Sequence, residues 1–359
     1  MTKDASCPVR FDASRRAWVV RDVASAQIVL GRHALFGTQG YETMGPDLAD
    51  IRRFLTAPPE RHRMLRRLMI HAFAPRRVAE IDAAVLRPAA DELASSLPGP
   101  GTVDLQSRYV GPYTRRIMYD VMGLTEVEGD ELTAAFRITR GYWVEQADRE
   151  RGLAALHLLR QRAASICAAD GERPGVSLLG LAGRERWLAT DLDVEDLVCM
   201  IMSLVEAAAV KAHRDLTATL LRRVAAMPTA DQTRLLRTDA FFEAAGEAVR
   251  LQPGGYAPRV ALVDTKLEDQ VIRAGDRVYV ALGEVGLDAL TFSEPERFCP
   301  WRQDLDSAVS FGIGIHRCVG ENIARRIAAR ASREVLRRWQ LTLVAERDTT
   351  FNVTLDSWR

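Results

Sequence analysis

Cys318 stands in a glycine-punctuated stretch, Phe311-Gly-Ile-Gly-Ile-His-Arg-Cys318-Val-Gly320. From Glu321 onward the sequence turns at once into an Arg/Ala/Leu pattern of helical type. Such a loop presents one sulfur just ahead of a helix N-terminus. Backbone N–H groups at that end stabilise negative charge on sulfur. The glycines let the chain adopt positive φ and pass close to a flat macrocycle. The chemistry implied is that of a thiolate held against a planar cofactor.

Two other groupings carry charge at helical spacing. Glu247 and Arg250 lie three apart in Glu247-Ala-Val-Arg250, so they share a helix face and can pair. Lys211 follows the phase of Ile201, Leu204 and Ala208, the buried stripe of a long apolar helix. It can pair with Asp215 one turn on, or it can present a cation to a pocket. The cysteines (Cys7, Cys167, Cys199, Cys299, Cys318) are scattered and include no Cys-x-x-Cys, which speaks against a disulfide framework or a zinc site.

The elements that must position these groups are mainly helical. Apolar residues at 3.6-type spacing predict helices over roughly 77–96, 127–137, 149–169, 194–226, 231–251 and 321–339. Strand signals fall at Ala17–Arg21, across Arg259–Leu282 around the turn Ala274-Gly275-Asp276, and at 340–344 and 350–354. The expectation is a mainly α body with a small β lobe, forming a single domain over 1–359.

With 359 residues, 47% of them hydrophobic, the chain can bury a large core. A formal net charge of +1 advertises neither nucleic acid nor membrane as a partner. Only Lys3, Lys211 and Lys266 among the 49 Lys and Arg residues are lysine. Residues 1–7 have no apolar region of a secretory signal, and the apolar run Leu197–Val205 is far shorter than the ~20 residues of a membrane span. A soluble cytoplasmic protein is expected.

The cysteine loop resembles the haem-ligand loop of the cytochrome P450 superfamily, Phe-Gly-x-Gly-x-His-x-Cys-x-Gly. The likeness extends in order along nearly the whole chain, through Trp18-Val-Val-Arg-Asp-Val and Ile117-Met-Tyr-Asp-Val-Met-Gly-Leu. It implies a P450 fold with haem b between a long distal helix and the helix that follows the loop. It makes Cys318 the axial iron ligand, with Phe311, Gly312 and Gly320 shaping the loop. Pro58-Pro-Glu-Arg-His62-Arg-Met-Leu-Arg66 looks like the family's haem-edge helix. His62 and Arg66, one turn apart, can reach one propionate together. Arg259 and His316 are the other propionate contacts that the resemblance implies. Glu247 and Arg250 match the family's Glu-x-x-Arg pair, and Arg297 of Pro295-Glu-Arg-Phe298 is expected to lock onto Glu247, a structural role.

The distal helix departs from the family. Where members carry an acid followed by an alcohol that relay protons, this chain reads Val205-Glu-Ala-Ala-Ala-Val-Lys211-Ala212-His213. Lys211 and Ala212 fall at the pair's positions, and a one-residue shift gives Val210 and Lys211. Lys211, Ala212 and Glu206 are the distal candidates, with His213 as a further proton donor. Ordinary hydroxylation therefore needs another proton source. The leading expectation is a haem-thiolate oxidoreductase that oxidises a small organic molecule in bacterial secondary metabolism. Electrons would come from a ferredoxin-type partner docking near Arg66, Arg67, Arg76 and Arg77, and the protein is expected to be a monomer. Peroxide-driven or redox-neutral chemistry at the same iron is the alternative, and a non-catalytic P450-like helper is a third reading. Tyr142, Trp143, Leu204 and Ala208 are candidate pocket residues.

Overall fold

The computed structural model describes residues 7–38, 54, 57, 59–144, 149–168, 173–187, 192–205, 212–252, 255–347 and 350–358. The chain separates into two compact units, residues 1–49 with 246–321, and residues 50–245 with 322–359.

The first unit is built on a five-stranded sheet. Its strands are β1 (Val9–Asp12), β2 (Ala17–Val20), β3 (Phe36–Gly37), β5 (Tyr256–Ala261) and β8 (Arg277–Ala281), in the order β1-β2-β8-β5-β3. Only β2 and β8 pair in parallel, with Trp18 opposite Val278 and Val20 opposite Val280. Helix α1 (Val23–Gly31) is capped by Asp22, whose side chain accepts from the Ser25 N–H. Its inward residues Ala26, Val29 and Leu30 join Val20, Phe36, Val278, Val280 and Phe292 in one apolar core. A small hairpin of β6 (Thr265–Leu267) and β7 (Gln270–Ile272) follows β5, and α13 (Leu282–Val285) follows β8. The expected turn before β8 is present, with Gly275 at φ +89°.

The second unit is mainly helical. It contains α2 (Pro59–Ala72), α3 (Pro75–Ile81), α4 (Arg87–Ser95), α5 (Gly111–Met122), α6 (Glu126–Val144), α7 (Arg149–Ala168), α8 (Leu178–Arg184), α9 (Val194–Leu204), α10 (Ala212–Ala225) and α11 (Thr229–Thr238). It also holds a three-stranded sheet, ordered β4 (Gly101–Asp104), β10 (Thr350–Asp356), β9 (Gln340–Arg347). Helix α12 (Phe241–Arg250) crosses from this unit into the first, and α14 (Glu321–Leu336) starts at the last residue of the first. Within the second unit, α14 is fixed by buried polar contacts. Tyr109 and Tyr113 donate to its Ala331 and Ile327 carbonyls, and Arg330 donates twice to Asp82.

Two helices differ from expectation. The single helix predicted over 231–251 is α11 and α12, because Asp239 takes the left-handed conformation (φ +52°) and ends α11. Arg333 donates to the Asp239 carboxylate, which holds that turn. The helix predicted over 77–96 is α3 and α4 joined by a π-helical segment at Asp82–Leu86, where the register opens by one residue. The helix expected over 194–226 is represented by α9 and α10, and residues 206–211 lie outside the described part. Among the described residues no helix is long and apolar enough to cross a membrane.

Candidate active site

The cysteine loop is shaped by its glycines and by a few backbone hydrogen bonds. Gly312 and Gly314 both sit at φ +70°, where a side chain is strained. A Cβ on Gly314 would also meet the Leu30 carbonyl at 3.3 Å, so the 3-10 turn Gly314–His316 rides directly on the C-terminal end of α1. The Gly312 N–H donates to Val309 at 2.7 Å and the Cys318 N–H donates to Phe311 at 2.8 Å, which closes the loop on itself. Arg317 donates through Nε to Glu321, the first residue of α14, at 2.8 Å. Cys318 is exposed, is not disulfide-bonded and lies three residues ahead of that helix. The N-terminal dipole of α14 favours its thiolate. The contrast is Cys167, whose thiol burial pushes up to about 12 and leaves inert at neutral pH.

The segment leading into this loop is held from beneath by one buried carboxylate. Glu247 and Arg250 are fully buried and joined by two hydrogen bonds of 2.6 and 2.8 Å. Arg250 reaches on to the carbonyls of Gly286 and Pro295, and its guanidinium lies over Phe292. Glu247 also accepts from the Cys299 N–H at 3.1 Å and from Arg302 Nε at 3.0 Å. Arg302 directs its remaining donors to the carbonyls of Ser293, Glu294 and Arg297 and to the Asp304 carboxylate. A buried carboxylate is tolerated here because its lone pairs are used on two cations and a backbone donor.

This overturns one sequence expectation. Arg297 is not the second arginine on Glu247: it is two-thirds exposed and donates to Glu294 at 2.7 Å. Arg302 takes the place, with its side chain 5% exposed. Both arginines lie in the same short segment, and no local spacing rule separates them. Turns at 294–297 and 299–302 send Arg302 inward and Arg297 out.

Also in the first unit, Arg259 lies on β5, 5% exposed, donating to the Pro258 carbonyl at 2.8 Å. His316, in the 3-10 turn of the cysteine loop, is half-buried, with its Nδ1 shielded from solvent. Phe311 and Gly320 are half-buried at the two ends of the loop.

In the second unit, His62 and Arg66 occupy successive turns of α2. His62 is buried and packs on Phe54, with ring centroids 5.2 Å apart. Burial, and next the Arg66 charge, hold its pKa below the usual imidazole range, so it is a neutral hydrogen-bonding group at pH 7. Arg61 on the same helix pairs with the fully buried Asp196, part of the capping box that starts α9. The basic patch expected from Arg66, Arg67, Arg76 and Arg77 is smaller than the sequence suggests. Arg77 turns into the fold, donating to Glu80 and to the Gly175 and Val176 carbonyls.

On the distal-helix candidates, Leu204 is buried at the end of α9, and Ala212 opens α10 in an exposed position. Glu206, Ala208 and Lys211 lie outside the described residues. Tyr142 and Trp143 fall on α6. His213, ranked behind these in the sequence, is buried on α10.

The family profile for "Cytochrome P450" matches residues 210–354, the span that contains the Glu247 scaffold and the cysteine loop. Cytochrome P450 105A3 of Streptomyces carbophilus is 25% identical over 338 residues, covering 90% of this chain and 79% of that protein. The profile and this relative together support the cytochrome P450 superfamily as the family of this chain. Another relative, the mycinamicin VIII C21 methyl hydroxylase of Micromonospora griseorubida, is 26% identical over 275 residues, covering 76% of this chain and 69% of that one. Among solved structures, the P450 enzyme CYP109B1 of Bacillus subtilis superposes with a TM-score of 0.82 at 20% identity, over 99% of this chain and 97% of that one. A mutant of P450 EryK in complex with erythromycin B gives 0.82 at 21% identity, over 99% and 94%. The fold is the P450 fold, mainly helical with a small sheet region, and the protein is a P450-type oxidoreductase.

The residues present fit the haem that this family carries. One soft thiol stands exposed and unbridged at a helix start, on a loop with two glycines at left-handed φ. Buried Arg259 and neutral His62 are chemically suited to carboxylates in a low-dielectric setting.

Proposed function

We propose that this protein is a haem b-dependent oxidoreductase that oxidises a small organic molecule, as a tailoring step in bacterial secondary metabolism. The observation that carries the reading is the exposed Cys318 thiol at the start of α14, on a segment locked to buried Glu247 by Arg250 and Arg302. Haem, when bound, supplies the activation of oxygen, and a thiolate ligand favours O–O cleavage. The chain's own residues do the rest. Cys318 ligates the iron through its thiolate, and the loop from Phe311 to Gly320 holds it in place. His316 and Arg259 are assigned to propionate binding, as are His62 and Arg66 on α2. The substrate class is supported by actinomycete relatives whose names describe hydroxylation, including the mycinamicin hydroxylase and the vitamin D3 dihydroxylase of Streptomyces griseolus.

Electrons are assigned to a ferredoxin-type donor, and the protein is assigned to the cytoplasm as a monomer with one domain over 1–359. Lys211, Glu206 and Ala212 remain the proposed distal residues, with Lys211 binding a substrate carboxylate or delivering a proton. Purified protein supplied with a reduced ferredoxin-type donor will consume reductant in a dioxygen-dependent way. Equal consumption by Cys318→Ala contradicts the reading.

A second reading, peroxide-driven or redox-neutral chemistry at the same iron, is favoured by the lack of an acid–alcohol pair at Lys211-Ala212. Turnover with peroxide and no reductant selects it. The helper reading is disfavoured, because Cys318 is intact.

A further inference from the structure

The C-terminal end of α14 gathers Arg330, Arg333, Arg337 and Arg338 around one fully buried carboxylate, that of Glu334. Three of these arginines have a second acid: Arg330 pairs with Asp82, Arg333 with Asp239 and Arg338 with Asp91. Among the described residues Arg337 has no second acid. Its bond to Glu334, at 2.9 Å, uses Nη1, and half of the side chain is exposed. Near the end of α11, Arg237 is exposed and has no ion-pair partner among the described residues.

Arg237, Arg333 and Arg337 line one cavity of about 390 Å³ together with Thr233, Leu236 and Trp358, all of them in the second unit. The Trp358 ring is half-buried, and its Nε1 donates to the Leu336 carbonyl at 2.8 Å. That bond uses the only polar group of the indole and holds an apolar ring at the cavity wall. Leu236 adds a second half-buried apolar surface. Three cations line the cavity and no acid does, so the local field favours an anion and repels metal ions and amines. Guanidinium donors match the two oxygens of a carboxylate. An inorganic anion would leave Trp358 and Leu236 unused, whereas a flat ring stacks on an indole and fills apolar space. The volume lies in the range of small-molecule sites.

We propose that this cavity binds a small aromatic carboxylic acid, with its carboxylate on Arg237 and Arg337 and its ring against Trp358 and Leu236. Arg333, already held by Asp239, adds charge at the wall. The site does not rest on the function proposed above, and none of its residues is assigned to haem or to the distal helix.

Calorimetric titration of the haem-loaded full chain with cinnamate at low ionic strength tests this. The expected dissociation constant is about 1 mM or tighter. Arg237→Gln and Trp358→Ala each weaken binding by about tenfold or more, and Arg237→Lys weakens it less than Arg237→Gln. Arg237 is exposed and unpaired, so Arg237→Gln melts within about 2 °C of the wild type, and its lost affinity is not lost fold. Cinnamyl alcohol, which keeps the ring without the charge, and inorganic phosphate, which keeps the charge without the ring, both bind about tenfold more weakly or worse. No binding by the wild type overturns the proposal. So does equal binding by Arg237→Gln and Trp358→Ala, because cinnamate is then held elsewhere in the protein. Phosphate or cinnamyl alcohol binding as tightly as cinnamate also overturns it.

Discussion

Glu247 is a carboxylate with no exposed surface, and its tolerance depends on which arginines are present. Arg250 and Arg302 both donate to it, while Arg297 pairs with Glu294 at the surface. Arg302→Ala therefore leaves a buried charge partly uncompensated and will cost about 3–5 kcal/mol in urea unfolding. Arg297→Ala will change stability by less than about 1 kcal/mol. The reverse order would restore the reading made from sequence, which took Arg297 because it stands in Pro295-Glu-Arg-Phe298. The choice between two arginines five residues apart is made by the turns that precede each, and those are tertiary facts. His213 gives a second residue-scale expectation. Its folded pKa of about 4 lies below the ordinary 6.5, so the unfolded chain binds the extra proton first. The stability it contributes is complete above pH 6.5 and is lost as pH falls toward 4, by on the order of 3 kcal/mol. Unfolding titrations at pH 7 and pH 4 will show this part of the slope in the wild type and not in His213→Phe.

At the scale of elements, the cysteine loop is a pair of left-handed glycines laid against the end of α1 and leading into α14. Gly312→Ala meets only ordinary contacts at 3.7 and 3.8 Å, so its cost is backbone strain alone, about 1–2 kcal/mol. Gly314→Ala adds a contact of 3.3 Å with the Leu30 carbonyl and will be the more destabilising of the two in thermal melts. Equal effects would mean that the contact with α1 yields without cost. These glycines were legible in the sequence because their spacing, with Cys318, has one purpose. The helices over 77–96, 127–137, 149–169 and 321–339 were legible from apolar periodicity, whereas α1, α5 and α8 were not; the strands within Arg259–Leu282 were legible from β-branched runs around Gly275. Strand β1 was not, since Val9-Arg-Phe-Asp12 is too short and mixed to signal, and pairing with β2 makes it a strand. The break at Asp239 was also hidden. The apolar pattern runs through it, and only the left-handed turn separates α11 from α12.

For the whole molecule, the likeness to the P450 superfamily is written in ordered motifs from Trp18 to Cys318, while the reaction is not. The motifs fix where a thiolate and its scaffold must be. They do not fix the proton supply, because the distal positions read Lys211-Ala212 in place of an acid–alcohol pair. The source of electrons separates the two reaction types. Turnover with a ferredoxin-type donor and dioxygen supports the oxidase reading, and turnover with peroxide alone supports the other. Both rest on Cys318. The most direct measurement is the absorption spectrum of the reduced, haem-loaded protein under carbon monoxide, for the wild type and Cys318→His. The red-shifted thiolate-type band is expected in the wild type and absent from the variant. Its absence from a haem-loaded wild type, or its survival in Cys318→His, would contradict the assignment of Cys318 as the iron ligand.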